Sequence, residues 1–264
     1  MKFYKYHGTG NDFIMVDDRI QTFDGNNQDL IKGFCHRRFG IGADGLILLR
    51  NLKGFDFEMV YFNADGRPSS MCGNGGRCIV QFAHDLGIIQ NEAKFMAIDG
   101  LHTATIENDL VSLKMCDVNN IEYNSGDYIL DTGSPHYVKY QKNLGQLDVV
   151  TEARKIRNNK RFIEKGINVN YIELIENTLH VRTYERGVED ETLSCGTGVT
   201  ASAIAHFLDV FADNGPSTEN YINISCPGGQ LKVSFSYDGK TQFSNIFLIG
   251  PAQKVFEGSI KPSF

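Results

Sequence analysis

The chain contains two copies of one pattern, Met71-Cys72-Gly73-Asn74-Gly75-Gly76-Arg77-Cys78 and Ser194-Cys195-Gly196-Thr197-Gly198-Val199-Thr200-Ala201. In each copy a cysteine is followed by Gly-x-Gly and then by an apolar run that is typical of a buried helix. Each copy also follows a segment rich in aromatic and β-branched residues that is typical of a strand. These segments end at Phe62-Asn63-Ala64-Asp65-Gly66 and at Tyr184-Glu185-Arg186-Gly187. The repeat predicts two structurally similar halves.

Turn signals and helix signals outside the repeat indicate an α+β fold. Asp99-Gly100, Asn108-Asp109 and Asp238-Gly239 each separate short β-rich runs, which predicts hairpins and antiparallel sheet. A helix is expected from residue 28 to about residue 39, ended by Gly40, and another over residues 149–158. Two more helices should begin at the Cys-Gly motifs. Residues 117–127 are rich in turn formers and form the predicted domain boundary.

Composition excludes several functions. The 264 residues carry a net charge of −6, which disfavours a nucleic-acid partner. No apolar stretch is long enough to span a membrane, and no apolar signal segment is visible near the start, so a cytoplasmic location is expected. The six cysteines form no C-x-x-C pair, so the spacing predicts neither a metal site nor a redox motif.

The two cysteines that begin helices are candidate acid/base groups. The start of a helix offers unpaired backbone N–H groups and the positive end of the helix dipole, which favour a thiolate and can bind a carboxylate. If the halves are related by an approximate two-fold axis, Cys72 and Cys195 would face opposite sides of one bound atom. Inversion of a carbon centre needs two such groups. A pyridoxal cofactor would need a Schiff-base lysine, and neither motif contains a lysine, so we expect no cofactor.

Together with His7-Gly8-Thr9-Gly10-Asn11-Asp12-Phe13 and Gly133-Ser134-Pro135-His136, these motifs run in order along nearly the whole chain and resemble the diaminopimelate epimerase family. The resemblance implies interconversion of LL- and meso-2,6-diaminopimelate, a small-molecule substrate, by a homodimer. It implies two domains related by a pseudo-two-fold axis, each a curved antiparallel sheet around a central helix. The last strand would return to the first domain. The expected domains are therefore residues 1–117 with 251–264, and residues 118–250.

The resemblance also implies the roles of individual residues. Cys195 would be the thiolate that accepts the proton from the LL substrate and Cys72 the thiol that donates to the other face, with the roles exchanged in reverse. His136 and Glu185 would help to set the pKa values of the thiols. The expected substrate-binding residues are Asn11, Asn63, Gly73, Asn74, Asn168, Glu185, Arg186, Gly196 and Thr197.

Two positions depart from the family pattern. Gly45 stands where some members carry glutamine, and glycine offers no side-chain contact. Ser134 stands where many members carry asparagine, whose side chain is longer. Both changes affect substrate recognition and leave the thiol pair intact.

Two other functions remain open from the sequence. A cofactor-independent racemase of proline or hydroxyproline would use the same thiol pair, but it needs to bind only one amino acid head group. The several amide and arginine positions favour a substrate with two amino acid ends. A ligand-binding or thiol-redox protein would instead cycle Cys72 and Cys195 through a disulfide, and it would not exchange α-protons.

Overall fold

The structure is a computed structural model, and it describes residues 1–211 and 215–261. The chain divides into two compact units, Met1–Leu113 with Gly250–Phe264, and Lys114–Ile249. The domain limits predicted above stay a prediction, because compact packing within one chain does not test whether each part folds alone.

The strands and helices of the described residues follow one another along the chain. They are β1 (Lys2–Gly8), β2 (Asn11–Asp17), α1 (Gln28–Cys35), β3 (Gly45–Arg50), β4 (Phe57–Asn63), α2 (Gly73–Asp85), β5 (Glu92–Ala97), β6 (Gly100–Glu107), β7 (Leu110–Lys114), β8 (Ile121–Asn124), β9 (Asp127–Asp131), β10 (Pro135–Tyr140), α3 (Val149–Arg157), β11 (Asn168–Ile175), β12 (Thr178–Glu185), β13 (Asp190–Thr192), α4 (Gly196–Val210), β14 (Ser217–Cys226), β15 (Gly229–Tyr237), β16 (Phe243–Pro251) and β17 (Gln253–Ser259). A 3₁₀ turn at Leu144–Gln146 precedes α3.

The two units repeat one strand order. In the first unit the pairing runs β17-β1-β2-β3-β4-β5-β6-β7. In the second it runs β8-β9-β10-β11-β12-β14-β15-β16, and β13 also pairs with β12. The strand directions also match, pair by pair. The prediction of two similar halves in an α+β fold is therefore confirmed.

The prediction that each sheet is antiparallel is corrected to a mixed sheet. Within the described residues, β2–β3 and β4–β5 are parallel in the first unit, and β10–β11 and β12–β14 are parallel in the second. The reason is the connection between them, since each of these pairs is joined by a crossover that contains an α-helix. Parallel neighbours need such a crossover, whereas the hairpins that the sequence marks with tight turns are antiparallel.

The central helix of each unit is almost wholly buried. All residues of α2 from Gly73 to Ala83 are buried, and α2 packs against β1, β2, β3, β6 and β17. Phe82 on α2 lies against the rings of Tyr4 and Tyr6 at centroid distances of 5.0 and 5.6 Å. In the second unit α4 packs against β9 to β12, β14 and β15, and Phe207 on this helix packs edge-on against Phe235 at 5.2 Å. Because apolar burial of this kind is the main favourable term in folding, each helix is held in place by the sheet around it.

Most of the predicted elements are confirmed, but α1 is shorter than expected. It begins at Gln28, with Asn27 as its N-cap, and ends at Cys35 instead of near residue 39. The imidazole Nδ1 of His36 accepts hydrogen bonds from the backbone N–H groups of Arg38 and Phe39, both at 3.1 Å. These bonds satisfy donors that would otherwise continue the helix, so the chain turns away.

The last strand joins the first unit, as expected. β17 pairs antiparallel with β1 from Lys2 opposite Ser259 to His7 opposite Gln253. The terminal ammonium of Met1 also donates to the carbonyl of Ile260 at 2.7 Å. Residues near both ends of the described chain therefore belong to one sheet.

Candidate active site

Cys72 is the N-cap residue of α2. Its backbone is extended, with φ −110° and ψ 150°, and its Sγ accepts a hydrogen bond from the N–H of Gly75 at 3.2 Å. Ser, Thr, Asp and Asn are the side chains that usually accept this bond. A cysteine in their place puts a nucleophilic sulfur among amides that stabilise negative charge.

The glycines after Cys72 allow the start of α2 to lie close to the sheet. A Cβ on Gly75 would lie 3.2 Å from Ile47 Cδ1, and a Cβ on Gly76 would lie 2.7 Å from Leu113 Cδ2. Both distances are shorter than a normal van der Waals contact. A larger residue at either position would therefore require these side chains or the start of α2 to shift.

Asn11 and Asn74 form one hydrogen-bonded group with a buried arginine. Asn74 Nδ2 donates to Asn11 Oδ1 at 3.3 Å. Arg77, which is 0% exposed, donates from Nη2 to Asn74 Oδ1 at 3.0 Å and to Thr9 Oγ1 at 3.1 Å. Guanidinium groups only donate, so these bonds fix which end of the Asn74 amide is the oxygen. Sequence reasoning missed Arg77, although a charged residue inside an apolar helix run was a visible signal.

A second charged group holds Asn11 from the other side. Asn11 Nδ2 donates to Asp44 Oδ2 at 2.7 Å, and Arg37 bridges Asp12 and Asp44 at 2.8 and 2.7 Å. Burial raises the pKa of the Asp12 carboxyl, but Arg37 and Lys5 outweigh it and hold that pKa well below its usual range. This network keeps Asn11 in place at neutral pH.

Gly45 and Asn63 lie opposite each other where β3 pairs with β4. The side chain of Asn63 is exposed at the end of β4. A Cβ on Gly45 would lie 2.5 Å from Tyr61 Cε2 and 2.6 Å from the Phe62 carbonyl oxygen. Because a backbone oxygen cannot swing aside as a side chain can, local packing excludes a glutamine at position 45 in this backbone.

Cys195 is the N-cap residue of α4 and is 8% exposed. Its Sγ lies 3.5 Å from the Thr197 hydroxyl. The same hydroxyl lies 2.9 Å from His136 Nε2, and Thr132 Oγ1 donates to the Thr197 carbonyl at 2.8 Å. The structure therefore brings together residues from two motifs that the sequence singled out, Cys195 and Thr197 from one and His136 from the other.

His136 is neutral in the folded protein. It is 0% exposed on β10, and burial, with a smaller contribution from the positive charge of Arg186, lowers its pKa to about 3. A neutral imidazole has one N–H and one bare nitrogen. His136 can therefore orient the Thr197 hydroxyl through Nε2 without adding charge to the site.

The low pKa of His136 predicts a loss of stability in acid. The unfolded chain takes up this proton near pH 6.5 and the folded chain only near pH 3, so stability falls as the pH drops below about 6.5. Between pH 7 and pH 5 the loss should be roughly 2 kcal/mol. We expect urea unfolding of the wild type to show this fall in the free energy of unfolding. In His136→Gln the fall should be smaller by about the same amount. Equal pH dependence of the two proteins would contradict the assignment.

Asn168 uses its whole side-chain amide within the protein. Nδ2 donates to Ser134 Oγ at 2.9 Å and to the Pro135 carbonyl at 3.0 Å, while Oδ1 accepts from the backbone N–H of Arg186 at 2.8 Å. Asn168 is 3% exposed. Its direct effect in this structure is to fix the start of β10 and the backbone of Arg186.

The predicted residues at the end of β12 differ in their surroundings. Glu185 is half-buried and is the last residue of the strand. Arg186 is exposed, and its guanidinium donates to the Lys165 carbonyl at 3.2 Å and to Ser134 Oγ at 3.4 Å. The serine in Gly-Ser-Pro-His thus contacts both Asn168 and Arg186, which the sequence alone did not indicate.

Residues 1–211 and 215–261 contain no candidate membrane span and no candidate metal site. No helix there is both long and apolar enough to cross a membrane. No group of three or more His, Cys, Asp or Glu side chains there is arranged to hold a metal ion.

The fold is shared with solved structures of isomerases and related proteins. The Bacillus anthracis phenazine biosynthesis protein of the PhzF family matches with a TM-score of 0.75 and 13% identity, covering 99% of each chain. A probable proline racemase from Agrobacterium radiobacter K84 matches with a TM-score of 0.66 and 13% identity, covering 99% of this chain and 93% of that one. The chain therefore shares its fold with these two proteins, and in this chain a cysteine caps the central helix of each unit.

Sequence comparison identifies the family to which the chain belongs. The family model for diaminopimelate epimerase matches residues 3–124 and 128–255. Relatives named diaminopimelate epimerase include one from Flavobacterium psychrophilum, 53% identical and covering 98% of this chain and 100% of that protein. Another, from Chlorobaculum tepidum, is 40% identical and covers 96% and 98%. The chain belongs to the diaminopimelate epimerase family.

Proposed function

We propose that this protein is a diaminopimelate epimerase, an isomerase that interconverts LL- and meso-2,6-diaminopimelate. The observation that carries the proposal is the full-length match to relatives of that name, at 53% identity for one of them. The two cysteine-capped helices support it, because inverting a carbon centre needs one acid/base group for each face of the carbon.

The reaction needs only proton transfers. The Cys195 thiolate takes the α-proton of the LL substrate, so that a C–H bond breaks, an S–H bond forms, and the electron pair stays on the substrate. The Cys72 thiol then gives its proton to the other face of the α-carbon and becomes a thiolate. In the reverse direction the two thiols exchange roles. Nothing is oxidised or reduced, and the proposed reaction uses no cofactor.

The helix N-termini would hold the reacting end of the substrate. Backbone N–H groups of Gly73 and Asn74 on α2, and of Gly196 and Thr197 on α4, lie in first turns whose amides bind anions. We propose that they bind the substrate carboxylate. As the α-carbon loses its proton, charge moves onto that carboxylate, and the same amides stabilise it.

The remaining polar residues would recognise the amino and carboxylate groups of the substrate, including the distal ones. Asn11, Asn63, Glu185 and Arg186 are proposed as direct contacts. We propose that Asn168 acts partly through Arg186, because its side chain accepts a hydrogen bond from the Arg186 backbone and holds it in place. We also propose that Glu185 and His136 help to set the protonation of the thiols.

The proposal is tested by proton exchange in heavy water. The purified, reduced protein is incubated with LL-diaminopimelate without pyridoxal phosphate. We expect the meso isomer to form with one deuterium at the inverted α-carbon. Absence of both isomer and exchange would contradict the proposal. Exchange on proline or trans-4-hydroxyproline instead would identify a racemase of those amino acids, and a disulfide that cycles without α-exchange would identify a thiol-redox protein.

We also propose that the protein works as a homodimer in the cytoplasm. The family resemblance supports both statements. The chain mass is 29.5 kDa, so sedimentation equilibrium separates a monomer from a dimer clearly. A mass of one chain at micromolar concentration would contradict the dimer.

A further inference from the structure

Behind Cys195 lies a buried series of hydrogen bonds in which only one member, His136, has a proposed role so far. It starts at Thr183 on β12, crosses to its register partner Asn170 on β11, and continues to His136 on β10. Thr183 and Asn170 are 3% and 0% exposed. Buried polar side chains are costly unless they are hydrogen-bonded. The bonds in this series therefore constrain the orientation of each side chain in it.

The partners of Asn170 determine which way its amide faces. Its Nδ2 lies 3.1 Å from the carbonyl oxygen of Tyr137, and a carbonyl only accepts, so this atom is the donor. Its Oδ1 lies 2.9 Å from the Thr183 hydroxyl, which donates to it. Both ends of the amide are therefore assigned by their neighbours.

The Asn170 amide in turn determines the tautomer of His136. Asn170 Nδ2 also lies 3.0 Å from His136 Nδ1, so Nδ1 must be the bare, accepting nitrogen. A neutral imidazole then carries its proton on Nε2, which lies 2.9 Å from Thr197 Oγ1. The Thr197 oxygen accepts from Nε2, and its own proton can point to the Cys195 sulfur at 3.5 Å.

Close packing prevents this series of hydrogen bonds from rearranging. A Cβ on Gly198 would lie 2.4 Å from Asn170 Oδ1 and 3.3 Å from His136 Cε1. The first turn of α4 thus rests directly on the Asn170 and His136 side chains. This contact gives the second glycine of Cys-Gly-Thr-Gly a specific role.

We propose that Asn170, anchored by Thr183, is a positioning residue for the reaction. It holds His136 as the Nε2–H tautomer, which turns the Thr197 hydroxyl proton toward Cys195 and stabilises the thiolate. The inference rests on the proposed function, in which the Cys195 thiolate accepts the α-proton. An analogous hydrogen bond behind a metal-bound histidine fixes its tautomer and orientation.

The test reverses the tautomer with a substitution of nearly equal size. In Asn170→Asp the carboxylate only accepts, so His136 places a proton on Nδ1, and in the neutral ring Nε2 is then bare. Nε2 then accepts a hydrogen bond from the Thr197 hydroxyl, so this hydroxyl no longer donates to the Cys195 sulfur. We expect the imidazole ¹⁵N shifts of His136, assigned with His136→Gln, to exchange their pattern. We expect kcat for LL-diaminopimelate to fall roughly 10–100-fold, the usual effect of removing such a partner.

Asn220→Asp is the matched control. Asn220, on β14 in the same unit, also donates from Nδ2 to backbone carbonyls, those of Ser217 and Phe235 at 3.5 and 3.3 Å. It should leave the His136 shifts and kcat unchanged. If Asn170→Asp does not fold, Asn170→Ala replaces it, and a mixture of the two tautomers is then expected.

The outcomes separate this inference from the proposed function. Unchanged His136 shifts in both Asn170 variants, or altered shifts with an unchanged kcat, would overturn the positioning role. If the wild type fails to exchange any α-proton of diaminopimelate, the proposed function fails while the shifts still report the tautomer. In that case alkylation of Cys195 by iodoacetamide at pH 7, followed by peptide mass, should still slow in Asn170→Asp, and an unchanged rate would overturn the inference.

Discussion

Replacing Cys195 with alanine should lower the rate of LL to meso conversion by roughly 10²–10⁴-fold, the usual contribution of one acid/base group. The variant lacks the thiolate that takes the proton from the LL face, although its other acid/base group is intact. Cys72→Ala should lower the overall rate by a similar factor. This variant can remove the LL proton but cannot deliver a proton to the other face.

The two variants should differ in heavy water. In Cys72→Ala the deuterated Cys195 thiol can return deuterium to the face it came from, so LL-diaminopimelate should gain deuterium with its configuration retained. In Cys195→Ala the same exchange should occur with the meso isomer instead. Equal behaviour of the two variants toward the LL substrate would contradict the assignment of one thiol to each face.

Cys226→Ser is the control for these substitutions. Cys226 is buried, and its Sγ donates to the Gly229 carbonyl at 3.2 Å, a bond that a serine hydroxyl can keep. Its activity should match the wild type. A comparable loss in Cys226→Ser would show that the effect of cysteine removal is on folding and not on proton transfer.

Replacing Arg77 with alanine should destabilise the protein by about 2–5 kcal/mol, the range found when a large buried side chain is cut back to alanine and leaves a cavity. Arg77 is the largest fully buried side chain in the described residues. Its loss leaves a cavity beside α2 and removes the donor that holds Asn74 Oδ1 and Thr9 Oγ1. Because Asn74 lies in the first turn of α2, the same change should also weaken substrate binding.

Urea unfolding measures the first effect, and KM for LL-diaminopimelate measures the second. Arg67→Ala is the matched control, because the Arg67 side chain is 75% exposed and makes one long contact with Asp65 at 3.7 Å. Its stability should stay within about 0.5 kcal/mol of the wild type. A loss below about 1 kcal/mol in Arg77→Ala would show that the buried guanidinium is not a structural anchor.

The sequence predicted the parts of the fold that local chemistry controls. Asp99-Gly100 and Asp238-Gly239 lie where the structure makes hairpins, because few residues other than glycine adopt the backbone angles that such turns need. Cys72 and Cys195 lie where α2 and α4 begin, because glycine-rich segments before an apolar periodic run mark a helix start. The predicted end of α1 was wrong because the observed end depends on hydrogen bonds to the His36 imidazole, and helix propensities do not include such bonds.

The networks around the thiols could not be predicted in the same way. His136, Asn170 and Thr183 come from three different strands, and nothing in their spacing says that they meet. Their contact depends on register, and a shift of one residue would turn each side chain to the other face of the sheet. Arg77 is similar, because its partner Thr9 is distant in sequence and is reached only across the packed unit.

By itself, the sequence determined that this protein has two similar halves, each with a cysteine at the start of a buried helix, and that it resembles diaminopimelate epimerases. These features depend on residue type and on the local order of residues, so they can be predicted from the sequence. Only the tertiary structure decided that the sheets are mixed, that no side chain fits at Gly45, and that Asn170 fixes the His136 tautomer. Each of these depends on distances between residues far apart in the chain, which strand register and close packing set.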